Sequence, residues 1–219
     1  MKPSPITFEQ LVKLVQYGQR QRDARSALPS GFAELDAHLP GGGWPSGAVA
    51  ELMSDAIGIG ELGLVLPALS SLARAGRYIA WIAPPYMPYA PALVQRGLPL
   101  ERMLLIRTST LQQSLWATEQ ALRCPAVGAV LSWPAYIIDR SVRRLQLAAE
   151  AGGSVGFLYR PPAAAREPSP AALRLRLHAD EDSSLIVEIQ KSRGGRTGMR
   201  LRCTNSHALA VHSPATALA

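Results

Sequence analysis

The sequence predicts an α/β protein in which helices flank a mostly parallel sheet, with antiparallel strands added at its C-terminal end. Between residues 48 and 160, short apolar runs alternate with segments of helical spacing, and this alternation is typical of a parallel sheet covered on both faces. After residue 160 the apolar runs follow one another without helices between them, and strands in direct succession pair antiparallel. Both patterns belong to one α/β domain.

The elements of the alternating region carry start and stop signals. The first two predicted helices end at Gly76 and Gly97, because glycine readily adopts the positive φ that closes a helix. The third, TLQQSLWATEQALRC, has amphipathic spacing, and Asp139 is the predicted N-cap of the fourth. The predicted strands are 48–53, 77–83, 102–108, 126–133 and 154–160, and the predicted helices are 61–75, 89–97, 110–124 and 139–153.

The two ends of the chain differ from this region. Strands are predicted at 173–179 and 184–192 around an acidic turn, with further strands at 199–203 and 207–213. An amphipathic helix, ITFEQLVKLVQYGQRQR, is predicted near the N-terminus. The predicted organisation is an N-terminal helix and linker (1–27), an α/β domain (28–213) and a flexible tail (214–219).

The bulk composition limits the classes of function. The 219 residues are 47% hydrophobic and 18% charged, enough for one substantial core and too apolar for a disordered chain. No apolar run approaches the roughly 18 residues of a membrane span. Cys124, Cys203 and the four histidines show no metal-binding or redox spacing, so we expect no metal, no cofactor and a reduced, cytoplasmic setting. The net charge of +7 is compatible with an acidic or nucleic-acid partner.

The stretch SDAIGIGEL has the strand–turn–helix form of a phosphate-binding loop. A working loop also needs a lysine that reaches the phosphates and a hydroxyl that holds magnesium. Depending on the alignment, the lysine position holds Ile59, Gly60 or Glu61, and a Glu61 carboxylate about 4 Å from a phosphate would repel it by about 4 kcal/mol at an effective dielectric constant near 20. We therefore expect Gly58, Ile59, Gly60 and Glu61 to be a degenerate phosphate loop kept as scaffold. Anion binding by the bare N–H groups is the alternative.

Three further segments are candidate binding surfaces. The basic segment KSRGGRTGMRLR places cations between glycines and can approach a phosphate or carboxylate, although a solvated hairpin has the same composition. The segment APPYMPYAP follows a strand and presents aromatic residues among prolines, which suits a protein interface or simple loop packing. The N-terminal helix can pack on its own core or on a partner. The candidate DNA-binding or partner-binding residues are Lys191, Arg193, Arg196, Arg200 and Arg202, and the candidate partner-interface residues are Phe8, Leu11, Val15, Tyr86, Met87 and Tyr89.

The order and spacing of these elements resemble the RecA-type core, from GFAELDAHLPGGGWPSGAVAEL to EIQKSRGGRTGMRLRC. More narrowly, the segments GIGEL, LVLPAL, PPYMPYAPAL and KSRGGRTG resemble the ImuA family, RecA-like accessory proteins of bacterial error-prone lesion bypass. The cell-division inhibitor SulA is a related protein of the same reduced fold. A RecA-like ATPase would carry a catalytic carboxylate after the second strand and a magnesium-binding aspartate after the fourth. Pro84 and Pro85 stand at the first position, and SWP at the second, so the resemblance implies a protein that is not an enzyme.

The ImuA resemblance implies a non-catalytic adaptor in SOS mutagenesis, the translesion DNA synthesis that follows DNA damage. Its implied partners are ImuB, a Y-family-polymerase-like protein, and an error-prone C-family DNA polymerase, with contact to RecA or DNA and self-association left open. A SulA-like inhibitor that binds a tubulin-like division protein is one alternative function. A degenerate but active phosphate-loop ATPase is the other.

Overall fold

A single eight-stranded sheet organises the protein, in a computed structural model that describes residues 27–134, 136–180, 182 and 184–204. The strand order across the sheet is β3-β2-β4-β5-β1-β6-β7-β8. The strands are β1 (Ala48–Ser54), β2 (Tyr78–Ile82), β3 (Met103–Ile106), β4 (Val127–Ser132), β5 (Val155–Arg160), β6 (Leu173–Ala179), β7 (Leu185–Ser192) and β8 (Arg200–Cys203). The helices are α1 (Ala33–Asp36), α2 (Glu61–Arg74), α3 (Ala90–Gln95), α4 (Leu111–Arg123) and α5 (Asp139–Gly152).

The strand directions confirm the predicted mixed sheet. β1 to β6 run parallel through the pairs β1–β5, β1–β6, β2–β3, β2–β4 and β4–β5. β7 is antiparallel to β6, and β8 is antiparallel to β7. The carboxyl ends of β1 to β6 therefore share one edge of the sheet, called the carboxyl edge below. The opposite edge is called the amino edge.

Helices cover both faces of the parallel part. One core cluster places Leu52 of β1 and Trp81 of β2 against the face covered by α2. The other places Val49 of β1 and Leu158 of β5 against the face covered by α4 and α5. Strands β1, β4 and β5 are buried over almost their whole length, as is usual for parallel strands between two helical layers, whereas β7 alternates in burial.

Local chemistry accounts for two helix starts and corrects one prediction. Thr110 caps α4, because its side-chain oxygen accepts a hydrogen bond from the Gln113 N–H at 3.2 Å. Gly60, with φ of 102°, precedes α2 in a left-handed conformation that few other residues adopt. Asp139 was predicted as the N-cap of α5, but Ile138 occupies that position and Asp139 is the first helical residue. There its charge still favours the positive end of the helix dipole.

Some predictions fall on residues beyond this description. The helix over 6–22 with Phe8, Leu11 and Val15, the strand over 207–213 and the tail lie outside the described residues, so the predicted division of the chain stays a prediction. Within the described ranges, no helix has the length and apolar content to span a membrane. The same ranges contain no group of three side chains able to hold a metal ion.

Candidate functional site

Large apolar side chains are exposed along the carboxyl edge. They lie in the loops that follow β2 and β4, which are neighbouring strands, and in the loop that follows β1. Their exposed fractions range from 52% to 72%, although residues of this size normally bury most of their surface. This carboxyl-edge surface consists of Ile57, Tyr86, Met87, Tyr89, Tyr136 and Ile138.

The segment after β2 holds its aromatic residues on a stiff backbone. Ala83 opens it with φ of 47°, a positive value that among the described residues is otherwise confined to glycines. The Ala83 N–H donates to the carbonyl of Ile106 at 2.8 Å, which ties the segment to β3. Prolines at 84, 85 and 88 then limit the backbone, and a cleft of about 430 Å³ separates the segment from β3. Tyr86 and Tyr89 are therefore displayed with little conformational freedom left to lose on binding.

The segment after β4 presents two further side chains in a different way. Ile137 is buried, with 2% of its surface exposed, while its neighbours Tyr136 and Ile138 are 63% and 52% exposed. The carbonyl of Ile137 accepts a hydrogen bond from Nη2 of Arg160 at 3.2 Å. One inward side chain between two outward ones is the alternation of an extended backbone.

The turn that resembles a phosphate loop is occupied by a side chain of the protein itself. The Gly58 N–H donates to both carboxylate oxygens of Glu61, at 2.9 and 3.0 Å. Glu61 is the first residue of α2 and only 4% exposed, so its charge lies at the positive end of the helix. Gly58 and Gly60 both have positive φ, as expected for glycines retained to make the turn.

Stacked aromatic rings fill the ends of the strands behind this turn. The ring of Trp133 stacks on the rings of Trp81 in β2 and Tyr159 in β5, with distances of 5.8 and 4.8 Å between ring centroids. Burial raises the pKa of the Tyr159 phenol well above its usual range, and the nearby charge of Glu61 raises that pKa further. Ser132, at the end of β4, is buried and receives a hydrogen bond from the Thr118 hydroxyl at 3.0 Å. This part of the edge is packed with side chains.

A buried ionic network lies on the face of the sheet opposite α2. It was not predicted from the sequence. Glu51 of β1, with no exposed surface, accepts from Nη1 of Arg160 at 2.8 Å and from Nε of Arg174 at 2.6 Å. Arg160 also contacts Glu167 at 2.9 Å, and Arg174 donates to the carbonyl of Ala164 at 2.6 Å. The available signal was the single acid in the apolar run AVAELM, since a carboxylate in a fully buried strand requires a cationic partner.

The predicted basic set does not form one surface. Ser192 pairs with Leu173, the first residue of β6, so the turn that follows β7 lies at the amino edge. Arg202 lies toward the other end of the hairpin, where it forms ion pairs with Asp180 and, at 3.2 Å, with Asp182.

Protein groups already engage most of these cations. The Lys191 ammonium donates to the carbonyl of Ser169 at 2.5 Å, and burial, followed by the charges of Arg193 and Arg174, lowers its pKa. Arg193 lies 3.8 Å from the Glu150 carboxylate. Arg196 and Arg200 are exposed. A binding role for this set stays a prediction.

Comparison with known proteins places the matching region over the site. The family model described as "Cell division inhibitor SulA" matches residues 47–156. The SulA protein of Pectobacterium atrosepticum is 32% identical over 117 residues, which are 53% of this chain and 70% of that protein. The SulA protein of Photorhabdus laumondii is 29% identical over 119 residues, which are 53% of this chain and 67% of that protein. The crystal structure of SulA from Pseudomonas aeruginosa aligns with a TM-score of 0.43 at 27% identity, covering 51% of this chain and 97% of that one.

The family model and the curated relatives place this chain, with its mixed α/β sheet, in the class of proteins described as cell division inhibitors. The chain belongs to the SulA family. Membership in a family of inhibitors agrees with the prediction that the chain is not an enzyme.

The same findings correct the functional interpretation of the sequence. The prediction of a translesion-synthesis adaptor of the ImuA type is wrong. The partners predicted with it, which were ImuB, the error-prone C-family polymerase, RecA and DNA, are therefore not supported. Three of the four segments that suggested ImuA, namely GIGEL, LVLPAL and PPYMPYAPAL, lie inside the region matched by the SulA family. These three segments therefore do not distinguish the ImuA family from the SulA family. The alternative of a SulA-like inhibitor is the one supported.

Proposed function

We propose that this chain is a cell division inhibitor that binds a tubulin-like division protein and blocks assembly of its polymers. The observation that carries the proposal is the position of the carboxyl-edge surface. All six of its residues fall within 47–156, the region matched by the SulA family. The exposed apolar side chains and the family match thus coincide on the same part of the chain.

The chemistry of the surface suits a protein partner. Tyrosine and methionine are enriched at protein interfaces, and tyrosine is among the residues that dominate binding energy when a partner buries them. A net charge of +7 adds long-range attraction toward an acidic partner and accelerates encounter with it at low salt. We place the contact on Tyr86, Met87, Tyr89, Tyr136 and Ile138, with Ile57 at its margin.

Part of this proposal is that the inhibitor acts without ATP. The Glu61 carboxylate takes the Gly58 N–H that a phosphate would need and adds a repelling charge. The strand order and the antiparallel β7 support descent from a RecA-type core whose nucleotide site has closed. A cytoplasmic setting also belongs to the proposal, in keeping with Cys124 and Cys203, which are buried and not joined in a disulfide.

The test is polymer assembly of the purified tubulin-like division protein, followed by light scattering and sedimentation. The wild-type chain is compared with Ile138→Ala and with Leu147→Ala. Both residues are aliphatic and 52% exposed, but Leu147 lies on α5 outside the surface, so it is a matched control. We expect wild type and Leu147→Ala to inhibit assembly equally. We expect Ile138→Ala to need about five to thirty times more protein, since truncating an aliphatic side chain buried at an interface costs about 1–2 kcal/mol.

The outcomes separate the function from the surface. Assembly that proceeds unchanged at a molar excess of wild-type chain would contradict the proposed function. Inhibition by wild type with equal potency of the two variants would keep the function and remove Ile138 from the contact.

A further inference from the structure

Arg160 joins the buried network to the carboxyl-edge surface. Its guanidinium donates to Glu51 at 2.8 Å, to Glu167 at 2.9 Å and to the backbone carbonyl of Ile137 at 3.2 Å. Only 3% of the Arg160 side chain is exposed, so these bonds are little weakened by competition with water. One rigid side chain at the end of β5 thereby fixes a carbonyl in the loop that follows β4.

The position of that carbonyl determines what the loop displays. Ile137 is buried beneath it, while Tyr136 on one side and Ile138 on the other are exposed. The next carbonyl, that of Ile138, accepts from the N–H groups of Ser141 at 2.9 Å and Val142 at 3.2 Å in the first turn of α5. The loop is thus held at two successive carbonyls, one by Arg160 and one by the helix.

Stability alone does not explain why such a network is kept. Replacing a buried ion pair with well-packed apolar residues is often neutral or stabilising, because desolvation of the charges offsets their attraction. An apolar residue at position 160 can fill the space but has no N–H group for the Ile137 carbonyl. The feature that only the arginine supplies is therefore the bond to the loop.

We propose that Arg160 is a positioning residue that holds the 136–138 segment in the conformation that the division protein recognises. This inference rests on the proposed function for its partner, but its structural part concerns the free protein alone. Arg160 itself does not touch the partner in this account; it acts through the backbone of Ile137.

The network provides its own matched control. Arg160→Met leaves Glu51 paired with Arg174 at 2.6 Å and releases Glu167, which is 43% exposed, to water. Arg174→Met removes a guanidinium from the same carboxylate but leaves the bond between Arg160 and Ile137 intact. Both variants lose one buried cation beside Glu51. Arg174→Met also removes a donor from the carbonyls of Ala164 and Glu167, but only Arg160→Met removes the donor of the Ile137 carbonyl in the loop.

The experiment measures hydrogen exchange of the Ser141 and Val142 amides in the free protein, then inhibition of polymer assembly. In Arg160→Met we expect these amides to exchange about tenfold faster and inhibition to weaken by about tenfold, the loss expected for one buried charge-assisted bond. In Arg174→Met we expect both quantities within about twofold of wild type. Circular dichroism checks that each variant is folded.

Two results would overturn the inference. One is a folded Arg160→Met protein with wild-type exchange at Ser141 and Val142. The other is Arg174→Met matching Arg160→Met in both readouts, which would indicate a merely structural network. If Arg160→Met does not fold, Arg160→Lys takes its place, because it keeps the charge but puts a single ammonium in place of the two guanidinium nitrogens that make these three bonds. The same two results then decide. Faster exchange in a protein whose wild type inhibits no assembly would refute the proposed function and leave the structural part standing.

Discussion

Replacing Glu61 tests whether the phosphate-loop-like turn is closed by its own carboxylate. Two substitutions separate the contributions. Glu61→Gln removes the charge but keeps a side-chain oxygen that the Gly58 N–H can still reach, whereas Glu61→Ala removes both. The residue is 4% exposed, so solvent screens its interactions only weakly.

The size of the effect follows from the contacts. A hydrogen bond to a charged group contributes about 1.5–3 kcal/mol net, and a carboxylate at the start of a helix adds about 0.3–1 kcal/mol. Glu61→Ala should therefore lower the free energy of unfolding by about 2–4 kcal/mol. Glu61→Gln should lower it by about 1 kcal/mol, because a neutral hydrogen bond to the Gly58 N–H remains.

Urea unfolding at neutral pH measures both changes, and a sulfate titration gives an independent readout. Glu61→Ala frees the Gly58 N–H at a helix start, so sulfate should raise its thermal midpoint by more than it raises that of wild type at equal ionic strength. Two variants as stable as wild type, with the same response to sulfate as wild type, would show that the Glu61 carboxylate does not close the turn. The conformation of the turn would then be stabilised by other contacts.

The carboxyl-edge surface, the Cys203 thiol and the basic segment can each be tested by substitution. Tyr86→Ala combined with Tyr89→Ala should weaken inhibition of assembly by at least about thirtyfold without changing the circular dichroism spectrum, since both side chains are 72% exposed; unchanged inhibition would exclude this segment. Burial raises the pKa of Cys203 from 9.0 to about 11, so the folded state favours the protonated thiol, and its contribution to stability is lost as pH rises through that interval. Unfolding measured across this range should lose less stability in Cys203→Ala than in wild type, and identical losses would contradict that assignment. Arg196→Ala combined with Arg200→Ala should leave inhibition within about twofold of wild type, and a larger loss would assign the basic segment to the interface.

The fold was predictable because its signals are local. The apolar runs predicted as strands match β1 to β8 to within about two residues at each end, and Gly76 and Gly97 do follow the ends of α2 and α3. The turn before α2 is also local, since Glu61 lies three residues from the Gly58 N–H that donates to it. The sequence predicted Glu61 only as a repelling charge, and the interpretation of this turn as a degenerate phosphate loop stays a prediction.

The parts that were missed depend on distant residues. Arg160 and Arg174 lie 109 and 123 positions from Glu51, and no periodicity links them. Tyr136 and Ile138 sit in the run AYII, where sequence alone does not tell which side chains turn outward. The basic residues, whose binding role stays a prediction, are spread along a hairpin. Arg202 and the turn after β7 therefore lie toward opposite edges of the sheet.

Hydrogen exchange of the complex with the division protein shows whether the carboxyl-edge surface is the contact. We predict slower exchange on binding in segments 55–60, 83–89 and 133–138, with segment 191–202 unchanged. Protection confined to 191–202, or an inhibited division protein that leaves all three carboxyl-edge segments unprotected, would contradict the account.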